Sequence, residues 1–428
     1  MTLGAFVLGL ALAAATQGSS PVYVDPSSVG GACSDARIAR QADSPAQPLC
    51  SLERALATAP ANSTVMLRRG VYPSLTIEGL RRKGLLTVRS YPGERASVEE
   101  VSVEDSDNVA VVGLEVRNGF SVNGSGHNLT FVGNEIGHQP QGMVLYGYGG
   151  PGLRDVLIAG NSIHDIDYPQ PSSPDGVAGY GIRMMGTVRD TTIRGNTIRS
   201  VVEDYIQGGE SGITVERNTF LGPSLRYDHS DDVHADLWQI YWPSKDIVFR
   251  NNVARRTGTQ NGLLFQFSAP GPPHRNVVIE NNLFDHASDG TEMQIYNTRG
   301  LTIANNTAIG SAAGTWLRVD DRVPRGSGYT VVNNIFDSKD GTPFEPEVDW
   351  GVEKHNVITS RGGLPRRTFD RTDVVGRSPS FVAAGAGDYR LKRRSLGVDD
   401  GTPLGAPRTD LNGARRDSRP DAGALERP

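Results

Sequence analysis

Residues 277–284 read Val277-Val278-Ile279-Glu280-Asn281-Asn282-Leu283-Phe284. Apolar residues two apart have the period of a strand, and an Asn at the bend can turn the chain into a second apolar pair. The same apolar-x-apolar-x-x-Asn-x-apolar pattern recurs as Leu129-x-Phe131…Asn134-x-Ile136, Val156-x-Ile158…Asn161-x-Ile163, Thr191-x-Ile193…Asn196-x-Ile198 and Ile213-x-Val215…Asn218-x-Phe220. It continues as Ile247-x-Phe249…Asn252-x-Ala254, Leu301-x-Ile303…Asn306-x-Ala308 and Tyr329-x-Val331…Asn334-x-Phe336. Val109-x-Val111…Leu114-x-Val116 keeps the apolar positions without the Asn. Copies lie roughly 22 to 35 residues apart, which is the signature of a solenoid. Strand, Asn turn and second strand in each repeat, stacked on their neighbours, predict an all-β right-handed parallel β-helix.

A second alternating strand precedes several copies. Its columns align as Ile182, Ile206, Trp238, Phe265, Met293, Leu317 and, two residues on, Met184, Gly208, Ile240, Phe267, Ile295, Val319. Between them stand Arg183, Gln207, Gln239, Gln266, Gln294 and Arg318. Alternation predicts that the first two columns face a core and the third faces water. At about 4.8 Å per coil the polar column would span roughly 24 Å, room for several sugar units. Gln amides both donate to and accept from hydroxyls, and Tyr205, Tyr241, Tyr296 and Trp316 are expected to offer outward ring faces. The alternative is a structural ladder of stacked amides.

The chain has 428 residues, net charge -5 and 51 glycines, with a pI near 5.9. One elongated domain is expected, with residues 1–20 a signal peptide, 21–75 an N-terminal cap, 76–340 the solenoid and 341–428 a C-terminal cap with loops. The charge gives no general affinity for nucleic acid or anionic membrane. The apolar, charge-free run Leu3 to Ala15, followed by polar residues, predicts export, although a basic start is missing. It is too short to span a membrane. A secreted monomer follows. In that compartment Cys33 and Cys50, the only cysteines, favour a disulfide worth about 3 kcal/mol in the chain-entropy model; two free thiols are the alternative. Leu52, Ala55, Leu56 and Ala59 after Ser51 have the spacing of a capping helix, and Val65-Met66-Leu67 reads as the first strand. Beyond Asn334 the repeat pattern is expected to decay.

Tyr23-Val24-Asp25, Leu49-Cys50-Ser51-Leu52…Ala55-Leu56 and Gly70-Val71-Tyr72 resemble the start of secreted bacterial β-helix proteins. The end, Gly387-Asp388-Tyr389-Arg390-Leu391…Thr409-Asp410-Leu411-Asn412-Gly413…Asp421-Ala422-Gly423-Ala424-Leu425-Glu426, is similar to the C-terminal segment of many of them. The repeats look like the pectate-lyase-like superfamily, and the resemblance covers nearly the whole chain after the apolar start. It implies fold and export; its members include lyases, hydrolases, epimerases and adhesins.

The densest chemistry lies in 226–242, with Asp228, Asp231, Asp232, Asp236, His229 and His234 before a core strand. His234-x-Asp236-x-x-Gln239 predicts an acid/base centre, since an Asp can set the tautomer and basicity of a His; the alternative is a loop bonding its own backbone. The segment also looks like a signature of uncharacterised secreted β-helix proteins. Asp204, Asp231 and Asp232 are candidate oxygen ligands for Ca²⁺. Arg183, Gln207, Gln239, Tyr241, Gln266, Gln294 and Arg318 are candidate substrate contacts. The expected partner is a polysaccharide. β-Elimination of a uronate glycan is the leading reading, with a glycan-binding or structural protein and a hydrolase of polygalacturonase type as rivals. Asp231-Asp232 resembles the paired Asp of polygalacturonases. Thr257-Gly258-Thr259-Gln260-Asn261-Gly262 stands where that family carries Gly-His-Gly, and the Asp-Pro-His-Glu of β-helix epimerases is absent.

Overall fold

The structure, a computed structural model, describes residues 21–166, 179–222, 235–266, 272–311, 313–318, 328–339, 344–346, 351–360 and 369–427. The expected signal peptide lies outside them. The chain divides into two compact units, Met1–Thr197 and Ile198–Pro428.

In the first unit, strands Val22–Val24, Thr64–Leu67, Leu86–Ser90, Val109–Val112, Gly126–Val132, Leu153–Ala159 and Arg189–Arg194 form one parallel succession. Val109, Leu129, Val156 and Thr191 stand in register, as the repeat predicts. Further parallel strands, Ala96–Glu104, Glu115–Gly124, Met143–Gly147 and Ile182–Gly186, form another face. The first strand is Val22–Val24, paired with Val65–Leu67, so the chain enters the sheet earlier than the apolar run at 65–67 suggests. Helix Leu52–Thr58 forms where its spacing predicts, with Ser51 Oγ accepting from Arg54 N–H as N-cap. Leu52 and Ala55 are buried, and Cys33 and Cys50 are disulfide-bonded.

In the second unit, Ser211–Glu216, Lys245–Arg250, His274–Glu280, Thr298–Ala304, Tyr329–Val332 and Val352–Lys354 pair in parallel. Ile206–Gln207, Asp236–Ile240, Thr259–Phe265, Ser288–Tyr296 and Ala313–Arg318 form a second face. Phe220, Phe249 and Phe284 stack inside at centroid spacings of 6.3 and 6.0 Å. The repeat continues past Asn334. His355-Asn356-Val357 supplies one more turn, and strand Val357–Ser360 pairs with Ile335–Ser338. Its flanks lack the apolar alternation that revealed the others. The C-terminal segment packs along the unit's coils: Leu425 lies with Leu283, Ile309 and Tyr389, and Ala424 N–H donates to Thr307.

The repeated Asn side chains form internal ladders. In the second unit Asn282 Oδ1 accepts from both the amide and the side chain of Asn252, while its own Nδ2 donates to Phe249 O and to Asn306. The left-handed turn residue is the one before each ladder Asn, such as Asn251, Asn281 and Asn305, rather than the ladder Asn itself. In the first unit Leu114, which replaces an Asn, donates its N–H to Asn134 and starts that ladder. Among the described residues no helix is long and apolar enough to cross a membrane.

Candidate functional site

The strand register moves the expected polar column. Gln207 pairs with Gln239, but Gln239 pairs with Leu264, and Leu264 with Gln294, which pairs with Trp316. Gln266 and Arg318 lie two residues further along, Arg318 opposite Tyr296. A two-residue displacement keeps every side chain on its own face. Alternation is therefore blind to it.

Burial also departs from the expectation of a water-facing row. Asp204, Asp236, Gln207 and Gln239 are all buried, Asp236 completely. Tyr205 is buried too, its hydroxyl donating to the carbonyls of Leu221 and Gly222. Backbone carbonyls at the turn claim that phenol, so it offers no outward ring. Tyr241 and Trp242 are exposed, at 38% and 68%. Gln266 and Gln294 are half-buried, and Arg318 lies in strand Ala313–Arg318. His234, Asp231 and Asp232 lie outside the described residues.

The buried groups form a hydrogen-bonded line across neighbouring coils. Asp236 N–H donates to Asp204 Oδ1 at 2.8 Å, and Gln207 Nε2 donates to Asp204 Oδ2 at 3.0 Å. Asn261 Nδ2 donates to Asp236 Oδ1 at 2.8 Å. Gln294 Nε2 donates to Asn261 Oδ1 at 3.0 Å, and Tyr296 OH to Gln294 Oε1 at 3.1 Å. Burial, and next the neighbouring charge of Asp236, push the Asp204 carboxyl well above the ordinary range. Burial, followed by the Asp204 and Asp236 charges, raises the Tyr241 phenol to about 12, against the pull of a Gln239 hydrogen bond. Tyr241 therefore keeps its proton at neutral pH and is a donor. Gln239 Oε1 is buried without a hydrogen-bond partner among the described residues.

Asn261 is the member that sequence reasoning missed; it enters only through the displaced register. Asp204 does not suit a Ca²⁺ ligand, because both its oxygens already accept hydrogen bonds and burial favours its protonated form. In the first unit, Arg183 is half-buried with its guanidinium 4.3 Å from the centre of the Tyr180 ring. Tyr146 and Tyr148, each 43% exposed, meet at 5.0 Å, and Tyr148 OH donates to Glu104. Exposure of that pair is not visible in the repeat pattern.

The sequence matches the family model described as the right handed beta helix region over residues 103–308. The chain is a right-handed parallel β-helix. The crystal structure of pectate lyase Pel9A aligns over 97% of this chain and 98% of its own, at 18% identity and a TM-score of 0.52. The complex structure of XylC with xylose covers 95% of this chain and 98% of its own, at 11% identity and a TM-score of 0.51. The GH136 lacto-N-biosidase from Eubacterium ramulus covers 78% of this chain and 67% of its own, at 13% identity and a TM-score of 0.51. These likenesses show the fold. No curated protein matches the chain.

Proposed function

We propose that this protein is exported and cleaves a uronate-containing polysaccharide by β-elimination at the coils carrying residues 204–241. The observation that carries the reading is Tyr241. It is a partly exposed phenol held protonated over the buried Asp204–Asp236 pair, with exposed Trp242 beside it. β-Elimination needs a base for the C5 proton and an acid for the departing glycosidic oxygen. Tyr241 is the acid in this reading, and His234 takes the C5 proton. Asp236, fully buried, acts through its neighbours: burial first, and the nearby carboxylates of Asp204 and Asp236 next, keep the phenol protonated. Trp242 supplies a stacking face. Gln266 and Arg318, displaced together along the strands, are assigned to the sugar chain, Arg318 to a uronate carboxylate. Arg183 is a substrate contact of the first unit in this reading. At fold level, the names pectate lyase and lacto-N-biosidase on similar structures agree with action on glycans.

A second reading rests on a specific observation: Gln207 and Gln294 hold Asp204 and Asn261, as a glycan-binding or structural β-helix would also have them do. The test is ultraviolet absorbance of the protein with pectic, alginate and glycosaminoglycan chains. New unsaturated uronate ends establish the lyase. New reducing ends without that absorbance indicate a hydrolase using the paired acids. Binding with neither product leaves the non-catalytic reading.

A further inference from the structure

The first unit holds a second cluster, which the polysaccharide reading does not use. His138, His164 and Asp165 bring one ring nitrogen each and a carboxylate oxygen within 4.8 Å of one another. No other group of three or more His, Cys, Asp or Glu among the described residues does this. Strand Glu135–Gly137 pairs with Ser162–Ile166, placing Gly137 opposite His164, and His138 N–H donates to His164 O. His164 Nδ1 lies 2.7 Å from Asp165 Oδ2, and His138 Nε2 lies 3.9 Å from the same oxygen. The two rings meet edge to face at 5.3 Å.

The surroundings are built around these groups. A Cβ on Gly137 would come within 2.6 Å of the His164 ring, so only glycine leaves the ring its place. His164 is buried while the His138 side chain is 78% exposed, giving one fixed ligand and one free to close on an ion. On its far side His164 Nε2 faces Glu135 Oε1 at 3.5 Å. With an ion on Nδ1, a carboxylate there is placed to accept the Nε2 proton, as the outer partners of metal-binding histidines do. The two arginines of this region are engaged: Arg95 by Glu135, and Arg117 by Glu115 at 3.1 Å. Beside the cluster opens a cleft of about 310 Å³ lined by Glu115, Arg117, Glu135, Gly137, His138 and His164, space for water or a further ligand on an ion.

We propose that His138 Nε2, His164 Nδ1 and Asp165 form a site for a divalent transition-metal ion of the Zn²⁺ class, with Glu135 orienting His164 from outside. Two imidazoles and one carboxylate favour zinc over calcium, which takes oxygen ligands. Three protein ligands leave coordination positions open toward the cleft.

The test is equilibrium dialysis and calorimetry of the full chain, without a polyhistidine tag, against Zn²⁺ alone and Ca²⁺ alone. The expected result is one Zn²⁺ per chain, undisturbed by excess Ca²⁺, and loss of that equivalent in a His138→Ala/Asp165→Asn variant. Glu135→Gln should weaken binding by about 10- to 100-fold, the usual effect of removing an outer partner. Co²⁺ should give visible bands that the double variant lacks. Because His138 is exposed, His138→Ala alone should keep the metal-free melting temperature and still lose zinc, which separates lost ligation from lost folding. No zinc uptake by the wild type, or uptake by the double variant equal to that of the wild type, would overturn the proposal.

Discussion

At the residue scale, chemistry is decided by burial. Tyr241 and Asp236 lie five residues apart, yet one is 38% exposed and the other 0%. Trp242→Ala should raise KM several-fold with little change in kcat, since an exposed ring contributes stacking of order 1 kcal/mol; steady-state kinetics on the cleaved glycan would check it. Glu292 is fully buried in strand Ser288–Tyr296, where burial lifts its carboxyl from 4.5 to about 8. Gly262 makes room for it, since a Cβ there would lie 2.8 Å from Glu292 Oε1. The folded state then holds a proton that the unfolded chain has released. This contribution to stability is complete below pH 4.5 and is lost as pH rises to about 8. Glu292→Gln should flatten that decline and raise the denaturation midpoint at pH 8. His274 has the opposite sign: burial lowers it to about 4, so its contribution is present above pH 6.5 and lost as pH falls.

At the element scale, the strand and its Asn turn were legible in the sequence because core burial and the turn impose the same spacing on every coil. Register in the other sheet was only half legible. Alternation placed Gln266 on a half-buried face but did not give the row in which Gln266 and Arg318 stand. A shift of two leaves the face unchanged, so the apolar pattern is the same with or without it. The same limit concealed Asn261, which bridges Asp236 and Gln294. The ladder itself is open to test. Asn282→Ala should cost about 2–4 kcal/mol, because it strips partners from the Asn252 amide and the Phe249 carbonyl, both inside the coil. Equilibrium denaturation would measure it. A loss below about 0.5 kcal/mol would mean that the stacked amides contribute little.

At the scale of the whole molecule, the sequence conveyed fold class through repetition, while the candidate site was legible only as a region. His234, Asp231 and Asp232 drew attention by density. The line from Asp204 through Asp236 and Asn261 to Gln294 exists only once coils stack. Burial of Asp204 with both oxygens occupied likewise depends on neighbours distant in sequence. The disulfide was readable because two cysteines offer one pairing. Reducing it should lower the melting temperature, by an amount corresponding to about 3 kcal/mol in the chain-entropy model, and a calorimetric scan with and without reductant would show this.

The most direct measurement is unsaturated-uronate absorbance produced by the wild type beside Tyr241→Phe, on the glycan panel and with folding verified by circular dichroism. The account predicts turnover in the wild type and a loss of about 10²–10⁴-fold in the variant, the range for removing a general acid. Tyr241→Phe turning over at the wild-type rate, or a wild type inactive on every chain, would contradict it.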